Sequence, residues 1–276
     1  MFSTIRETLT LPTVHTPPHP TINLEDWLLT PPGQYLLNWE REQVDSCVAD
    51  IFGFHALQLG VPELNALQMN RMPHRWLATE QVGRPCSVVP PALESANTVS
   101  LNTHFSALPF PASSLDLVVL PHSLELSDDP HATLREVERV LVAEGKVIIC
   151  GFNPVSLWGM LQRRRHVYRR LGFSELFLPT VGEFIAVRRL RDWLNLLGFE
   201  VEELRFGCYR PGVVRAHWLR RFEWMDRVGA RWWPIFGSSY FIVAVKRVRG
   251  VRLKGVSWKT APVSVARPIS VANRIK

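Results

Sequence analysis

The stretch LNTHFSALPFPASSLDLVVLPHSLELSDDPHATLREVERVLVAEGKVIICG, residues 101–151, decides the fold. Within it, Ser114–Leu120 is a short and nearly continuous apolar run, and Lys146–Cys150 is a second one with β-branched residues. Runs of this length and composition predict two buried strands. A helical pattern lies between them, so the strands are expected to be parallel and joined by a right-handed crossover. Because both strands are apolar on both faces, the sheet is predicted to be covered on both sides.

The helical pattern between these strands opens at Asp129 and Pro130. Either Asp128 or Asp129 can cap the first turn, where a proline is also favourable. The pattern is predicted to end near Glu144-Gly145. The apolar residues that share one face of it are Leu134, Val137, Val140 and Leu141. Ligands of such sheets bind beyond the carboxyl ends of the strands, which points to residues 121–123 and 151–153.

Four short motifs stand in a fixed order along this stretch: ALPFP at 107–111, LVV at 117–119, DDP at 128–130, and ERVL at 138–141 followed by Gly145. In this order and spacing they resemble the second half of class I S-adenosylmethionine-dependent methyltransferases. The branch that they resemble most methylates small molecules and quinone precursors. The resemblance implies an α/β, Rossmann-like fold: a seven-stranded, mostly parallel sheet with helices on both faces and an antiparallel seventh strand. It also implies S-adenosyl-L-methionine as the cofactor.

Length and composition limit the class of protein. The chain has 276 residues, of which 46% are hydrophobic, enough for one large domain with or without an appendage. No window approaches about 18 consecutive apolar residues, the length that a membrane-spanning helix needs. The first 20 residues lack the apolar region of a secretory signal. The cysteines, Cys47, Cys86, Cys150 and Cys208, are far apart, which predicts buried free thiols rather than a zinc site or a disulfide frame. We therefore expect a cytoplasmic protein, either free or peripheral to a membrane, and no metal.

The remaining chain divides by composition. We predict a flexible leader over 1–22, a methyltransferase-like domain over 23–247 and a basic, disordered tail over 248–276. Within the domain, 162–183 is predicted to be a basic insertion. The segment 210–234 is rich in Trp and Arg and is interpreted as a substrate cap, a membrane-interface patch or a packing segment. Further strands are predicted over 54–60, 75–80, 97–105, from 199 and over 239–245, and further helices over 34–52, 155–161 and 184–197.

The resemblance assigns cofactor-binding roles to four residues. Gly60 begins the loop after the first strand, where the family passes its backbone close to the methionine part of the cofactor. Glu80, at the end of the second strand, is the candidate partner of the ribose hydroxyls. His104, with Phe105 beside it, stands where the family contacts adenine. The sequence departs from the family around Gly60, since Gln58 replaces an acidic residue, and Pro62 and Leu64 replace later glycines.

His122 is the candidate catalytic residue because it follows the fourth strand, where the resembled enzymes face the transferred methyl group. It is interpreted as a base or as an orienting group, because imidazole titrates near neutral pH. The alternative is a histidine that hydrogen-bonds the neighbouring loop. Glu125 is the nearest other acid–base candidate. Asn153-Pro154 is interpreted as a turn before the following helix.

Two kinds of function follow from these assignments. The first is methyl transfer to a small-molecule acceptor that is lipophilic in character. The alternative is a catalytically degraded methyltransferase fold that acts as a binding or scaffold module, with basic surfaces for anionic partners. The net charge of +7 is concentrated in the tail, which predicts contact with an anionic membrane surface or with nucleic acid, the latter including a nucleic-acid methyltransferase. The oligomeric state is not predicted.

Overall fold

The computed structural model of the protein describes residues 23–80, 98–163, 179, 182, 184–213 and 215–248. The predicted leader, residues 81–97, most of the predicted basic insertion over 162–183 and the predicted basic tail beyond Val248 lie outside the described residues. The fold below refers to the described part of the chain.

Seven strands form one sheet in the order β3-β2-β1-β4-β5-β7-β6. They are β1 His55–Leu59, β2 His74–Thr79, β3 Thr98–Asn102, β4 Leu115–Pro121, β5 Leu141–Phe152, β6 Phe199–Gly207 and β7 Ser239–Lys246. The pairs from β3 through to β5 are all parallel, whereas β7 lies antiparallel between β5 and β6. This architecture confirms the predicted seven-stranded Rossmann-like sheet and its antiparallel seventh strand.

Helices cover both faces of the sheet. The described α-helices are α1 Leu24–Leu28, α2 Pro31–Val48, α3 Ser123–Leu126, α4 Pro130–Val140, α5 Leu157–Arg163, α6 Val187–Leu196, α7 Ala216–Arg221 and α8 Trp224–Trp232. One apolar cluster joins α1 and α2 to one face of the sheet, and a second joins α4 and α6 to the other face. Each of these described helices is too short or too polar to cross a lipid bilayer.

The helix of the deciding stretch ends earlier than predicted. It was expected to reach Glu144-Gly145, but α4 stops at Val140. Leu141 already has an extended backbone, with φ −71° and ψ 138°, and it pairs with Leu115 of β4. The prediction was wrong because Leu141 is buried on the same side as the apolar residues of the helix. A buried leucine fits either the last turn of a helix or the first position of a strand.

Asp129 caps the start of α4. Its Oδ1 accepts hydrogen bonds from the backbone N–H groups of His131 and Ala132, each at 3.0 Å. These N–H groups belong to the first turn of the helix and have no partner within it. The sequence left the helix cap open between Asp128 and Asp129, and the structure shows that it is Asp129. Asp128 is an exposed neighbour.

We expect Asp129→Ala to lower the free energy of unfolding by about 1 kcal/mol, because the two N–H groups lose their acceptor. Asp128→Ala is the matched control, with the same change of charge and a stability within about 0.5 kcal/mol of the wild type. Chemical denaturation of both variants measures the difference. Equal destabilisation by the two substitutions would contradict the assignment of the cap.

Candidate functional site

Four candidate cofactor residues come together at the carboxyl edge of the sheet. Glu80 directly follows β2, and His104 follows the neighbouring strand β3 by two positions. The Nδ1 atom of His104 is hydrogen-bonded to the Glu80 carboxylate. The His104 side chain is 73% exposed and the Glu80 side chain 24% exposed, so both remain accessible from solvent. Two residues that the sequence placed at the ribose and the adenine are therefore in direct contact.

The turn at Gly60 lies against the same group. Gly60 has φ +71°, a left-handed conformation that favours glycine, and its N–H donates to the Ala78 carbonyl at 2.7 Å. A Cβ atom added at Gly60 would meet Ser123 Oγ at 3.3 Å and Phe105 Cζ at 3.5 Å. The buried ring of Phe105 thus packs against the turn. The loops after β1, β2 and β3 therefore bring together Gly60, Glu80, His104 and Phe105, a set that we call the Glu80 grouping.

Gln58 holds the loop after β1 from inside. Its Nε2 donates to the carbonyls of Gly60 at 3.2 Å and Val61 at 2.7 Å, and its Oε1 accepts from the Ala66 N–H at 2.8 Å. An ionised carboxylate at this position could not donate to the two carbonyls, whereas an amide makes all three bonds. Gln58, which stands where the family has an acidic residue, therefore holds the loop closed through the hydrogen bonds of its side-chain amide.

The side chain of Leu64, which stands where the family has a glycine, is buried in the core. Pro62–Leu64 forms a single 3₁₀ turn, and the side chain of Leu64 is fully buried. Leu64 belongs to the apolar cluster that includes Leu36 and Leu37 of α2. The side chain of Leu64 therefore packs beneath α2.

His122 lies at the centre of a buried ionic network. It stands between β4 and α3 with φ 54°, and its side chain is fully buried. Nδ1 is 2.9 Å from Glu125 Oε2, and Nε2 is 3.0 Å from Glu40 Oε1. Glu40 also accepts from Ser239 Oγ at 2.8 Å, and Glu125 accepts from the Phe152 N–H at 2.6 Å. The network therefore joins α2 and α3 to the carboxyl ends of β4, β5 and the start of β7.

The two carboxylates determine the charge of His122. Burial alone would lower the pKa of its imidazole, but the charge of Glu40 and the hydrogen bonds to Glu125 and Glu40 raise the pKa to about 10. The ring is then protonated at neutral pH and donates from both nitrogens. In this arrangement it has no lone pair with which to take a proton, so the geometry favours an orienting role for His122 over the role of a base.

Sequence reasoning named His122 and Glu125 but missed Glu40. The signal was present in helix α2, where Leu36, Leu37, Val44 and Val48 mark the buried face. Glu40 falls on that same face, at helical spacing from Leu36 and Val44. A charged residue on an apolar helix face is expected to have a buried partner of opposite charge, which here is His122.

A second feature of this edge is a cavity of about 570 Å³. It lies between α2, the end of β6 and the helices α7 and α8. Its aromatic and apolar lining is formed by Tyr35, Trp39, Phe206, Tyr209 and Leu219, and its charged lining by Glu42, Arg210, Arg220 and Asp226. Gly207 is the last residue of β6 and pairs with Ser239, which bonds Glu40. The α2 residues that line the cavity, among them Tyr35 and Glu42, lie on the opposite side of that helix from Glu40, so α2 stands between the cavity and the ionic network.

One cluster of contacts ties α2 to α8 at the cavity wall. Asp226 of α8 is hydrogen-bonded to the Tyr35 hydroxyl, and its Oδ2 accepts from Arg210 Nε at 2.8 Å. The Arg210 guanidinium lies 4.4 Å from the centre of the Tyr35 ring, within cation–π range. Gly229 of α8 packs on the ring of Tyr209, which leaves no room there for a Cβ atom.

The charge assigned to His122 has a measurable pH dependence. Since the pKa of His122 is raised in the folded state, the stability it contributes is fully present below about pH 6.5, the usual value of a free histidine, and is lost by about pH 10. We expect the wild type to exceed His122→Asn in free energy of unfolding by roughly a few kcal/mol near pH 6, because Asn leaves two buried carboxylates without their cation. Asn also tolerates the left-handed backbone at this position.

Denaturation of both proteins across this pH range measures the difference, which should shrink as the pH rises. In NMR spectra at neutral pH, both ring nitrogens of His122 should carry protons. A ring that titrates near pH 6.5, with a stability difference that does not change with pH, would contradict the assignment.

Comparison with known proteins agrees with this fold. A family model described as "Methyltransferase domain" matches residues 73–149. The protein YafS of Escherichia coli (strain K12), described as uncharacterized, is 30% identical over 186 residues, which cover 67% of this chain and 68% of YafS.

Solved structures share the fold at low sequence identity. A Haloferax volcanii methyltransferase complex with the activator Trm112 has a TM-score of 0.55 at 17% identity, over 83% of this chain and 97% of that chain. A methyltransferase of Thermotoga maritima scores 0.52 at 17% identity, over 81% and 94%. The cyclase SpnF scores 0.52 at 15% identity, over 83% and 88%.

At these identities a structural likeness establishes the fold alone, and the family is established by the domain match and the relative. The methyltransferase family implies S-adenosylmethionine as the cofactor. The chain belongs to the family of class I S-adenosylmethionine-dependent methyltransferases.

Proposed function

We propose that this protein transfers a methyl group from S-adenosylmethionine to a small, lipophilic acceptor. The observation that carries the proposal is the grouping of Gly60, Glu80, His104 and Phe105, from three loops, at one place on the carboxyl edge. In open α/β sheets this edge is where ligands bind. The cavity between α2, α7 and α8 supports the choice of a small acceptor.

The residues of the grouping suit the chemistry of an adenosyl group. The partly exposed carboxylate of Glu80 can accept hydrogen bonds from two ribose hydroxyls. The exposed imidazole of His104 can accept one hydrogen bond or stack on a base. The left-handed turn at Gly60 carries no Cβ atom, and Ser123 and Phe105 pack closely against it. Pro62 has no N–H, so the loop offers one donor fewer to the carboxylate of the amino-acid end.

When bound, S-adenosylmethionine supplies a methyl group on a sulfonium, which is electrophilic without further activation. The task of the chain is then to align an acceptor and to exclude water. We propose that His122 is a positioning residue in this task. Through Glu40 and Glu125 it fixes α2 and α3 over the ends of the central strands.

The cavity suits an acceptor with an apolar body. Its volume of about 570 Å³ falls within the range of roughly 300–1,000 Å³ that is usual for small-molecule sites. Aromatic side chains from α2 and from the end of β6 provide apolar contact, and Arg210 and Arg220 provide positive charge at the wall. Because Glu42 and Asp226 balance these arginines, we propose an acceptor that combines a planar or apolar body with a polar group.

The cofactor assignment predicts the effect of Glu80→Gln. Loss of the carboxylate should weaken binding of S-adenosylhomocysteine by about tenfold or more, because hydrogen bonds to a charged group contribute about 1.5–3 kcal/mol. Isothermal titration calorimetry measures the affinity. Asp192→Asn, on the exposed side of α6, removes the same charge and should leave the affinity unchanged.

The same titration distinguishes the proposed enzyme from the alternative, a binding or scaffold module. An absence of heat and of a thermal shift for the wild-type chain at millimolar ligand would contradict cofactor binding and favour a binding module on this fold. Equal loss of affinity in both variants would contradict the role of Glu80 in particular.

The acceptor assignment predicts the effect of filling the cavity. Ala230→Phe places a ring at the cavity wall and should lower kcat/KM for a small acceptor by about tenfold while the affinity for S-adenosylhomocysteine is unchanged. Formation of S-adenosylhomocysteine from S-adenosylmethionine, with a panel of phenols, quinols and long-chain acids as acceptors, measures the rate. Ala112→Phe, at an exposed turn, is the control.

Methyl transfer only to RNA, DNA or protein in that assay would contradict the small acceptor. Contact of the basic tail over 248–276 with anionic lipid or nucleic acid stays a prediction, as does a role for the insertion over 162–183, because these segments lie outside the described residues.

A further inference from the structure

The outer surface of α7, α8 and the turn after them combines exposed aromatic residues with arginines. The large apolar side chains exposed there are Trp218, Trp224, Trp232, Trp233, Ile235 and Phe236. Trp232 is 74% exposed and Ile235 61% exposed. We propose that this surface, the α7–α8 surface, docks the protein onto an anionic lipid membrane.

The inner contacts of α8 determine which residues face outward. Asp226 bonds Arg210, and Gly229 packs on Tyr209, so these two residues point toward the protein. At 3.6 residues per turn, the opposite side of α8 carries Trp224, Arg227 and Arg231. All three are exposed. Tryptophan and arginine thus share the outer side of one helix.

The apolar surface continues onto the neighbouring helix α5. Asn153 Nδ2 donates to the carbonyls of Ile235 at 2.7 Å and Gly237 at 2.9 Å, which fixes the turn after α8 beside the start of α5. Around that start, Val155, Leu157 and Met160 are also exposed. Exposed aliphatic residues therefore adjoin the exposed aromatic ones. An apolar surface of this kind marks an interaction site in a folded protein.

The charge of the surface complements an anionic partner. Five arginines fall between residues 215 and 231: Arg215, Arg220, Arg221, Arg227 and Arg231. The acidic residues of the same segment are Glu223 and Asp226, and Asp226 is already paired with Arg210. Arginine meets lipid phosphates while tryptophan rings sit at the depth of the headgroups, which is the pattern of helices that lie in a membrane interface.

Two other occupants fit these residues less well. Nucleic acid would use the arginines and the aromatic rings, but Ile235, Val155 and Leu157 offer bases no stacking surface. A second copy of the chain would bring arginine against arginine across a two-fold axis, because such an interface joins the same patch from both copies. Acyl chains and phosphates together satisfy both the aliphatic and the cationic side chains.

The position of the surface links it to the proposed acceptor site. The inner sides of α7 and α8 line the cavity through Leu219, Asp226 and Ala230, while their outer sides form the α7–α8 surface. Docking through that surface would place the cavity next to the lipid phase. An acceptor could then enter from the membrane without crossing water. Docking itself does not require that the protein bind a cofactor.

Flotation of the full chain with vesicles tests the proposal. The wild type should bind vesicles of phosphatidylcholine with phosphatidylglycerol, bind pure phosphatidylcholine more weakly, and lose affinity with added salt. Trp232→Ala combined with Ile235→Ala should weaken binding by about tenfold or more. Arg227→Gln combined with Arg231→Gln should weaken it by about fivefold per arginine, since each basic residue near such a surface contributes about 1 kcal/mol.

Matched controls lie on α6, on the opposite face of the sheet. Leu196→Ala removes a side chain that is 85% exposed, and Arg188→Gln with Arg191→Gln removes two exposed arginines. Both controls should bind vesicles as the wild type does. Circular dichroism and titration with S-adenosylhomocysteine on every variant show whether the fold and the cofactor site are intact, so a failure of docking is distinguished from a failure of the proposed function.

Several results would overturn the proposal. They are absence of vesicle binding by the wild type, wild-type binding by the α7–α8 variants, or loss of binding when only Arg252, Lys254 and Lys259 of the tail are changed to Gln. Binding of a single-stranded RNA that the α7–α8 variants abolish while vesicle binding persists would assign the surface to nucleic acid. Dimerisation of the wild type that the same variants abolish would assign it to a second copy.

Discussion

Two glutamates from separate helices, Glu40 and Glu125, hold the buried imidazole of His122 where the central strand β4 ends. A buried carboxylate is costly unless a cation and further donors satisfy it. Here the imidazolium serves both carboxylates, Ser239 donates to Glu40 and the Phe152 N–H donates to Glu125, while Glu40 Oε2 has no hydrogen-bond partner among the described residues. Burial raises the pKa of Glu125, so removal of the cation would leave two buried carboxyl groups that favour taking up a proton. The placement of α2 on the sheet, and with it one wall of the cavity, depends on this network.

The network divides the carboxyl edge into two chemically different regions. Toward β1, β2 and β3 lie the buried turn at Gly60, the exposed side chain of His104 and the partly exposed side chain of Glu80. Toward β6 lies the aromatic cavity between α2 and α8, with Arg210 and Asp226 fastening its wall.

The fold could be predicted because its signals are local. The apolar runs of β4 and β5 and the pattern of the helix between them can each be recognised from consecutive residues. A right-handed parallel crossover then leaves few possible topologies. The end of α4 could not be placed, because Leu141 suits a helix and a strand equally. The residues Gly60, Glu80, His104 and Phe105 were named from a resemblance, and the contact between Glu80 and His104 needed the pairing of β2 with β3.

What the sequence could not provide were relations between distant residues. Glu40 lies 82 positions from His122, and no local pattern connects them. The charge of His122 follows from that contact, so its choice between a base and an orienting group was open until α2 was placed. The cavity likewise arises from α2 meeting α7 and α8, which are far apart in the chain. Side-chain identity suggested each part, and only tertiary structure brought the parts together.

A crystal structure of the full chain grown with S-adenosylhomocysteine tests the central claim most directly. The account predicts the ribose hydroxyls within hydrogen-bond distance of the Glu80 carboxylate, the adenine beside His104 and the amino-acid end near the Gly60 turn, with His122 still held by Glu40 and Glu125. Ligand bound elsewhere, or a Glu80 grouping that stays closed upon itself at saturating ligand, would contradict it.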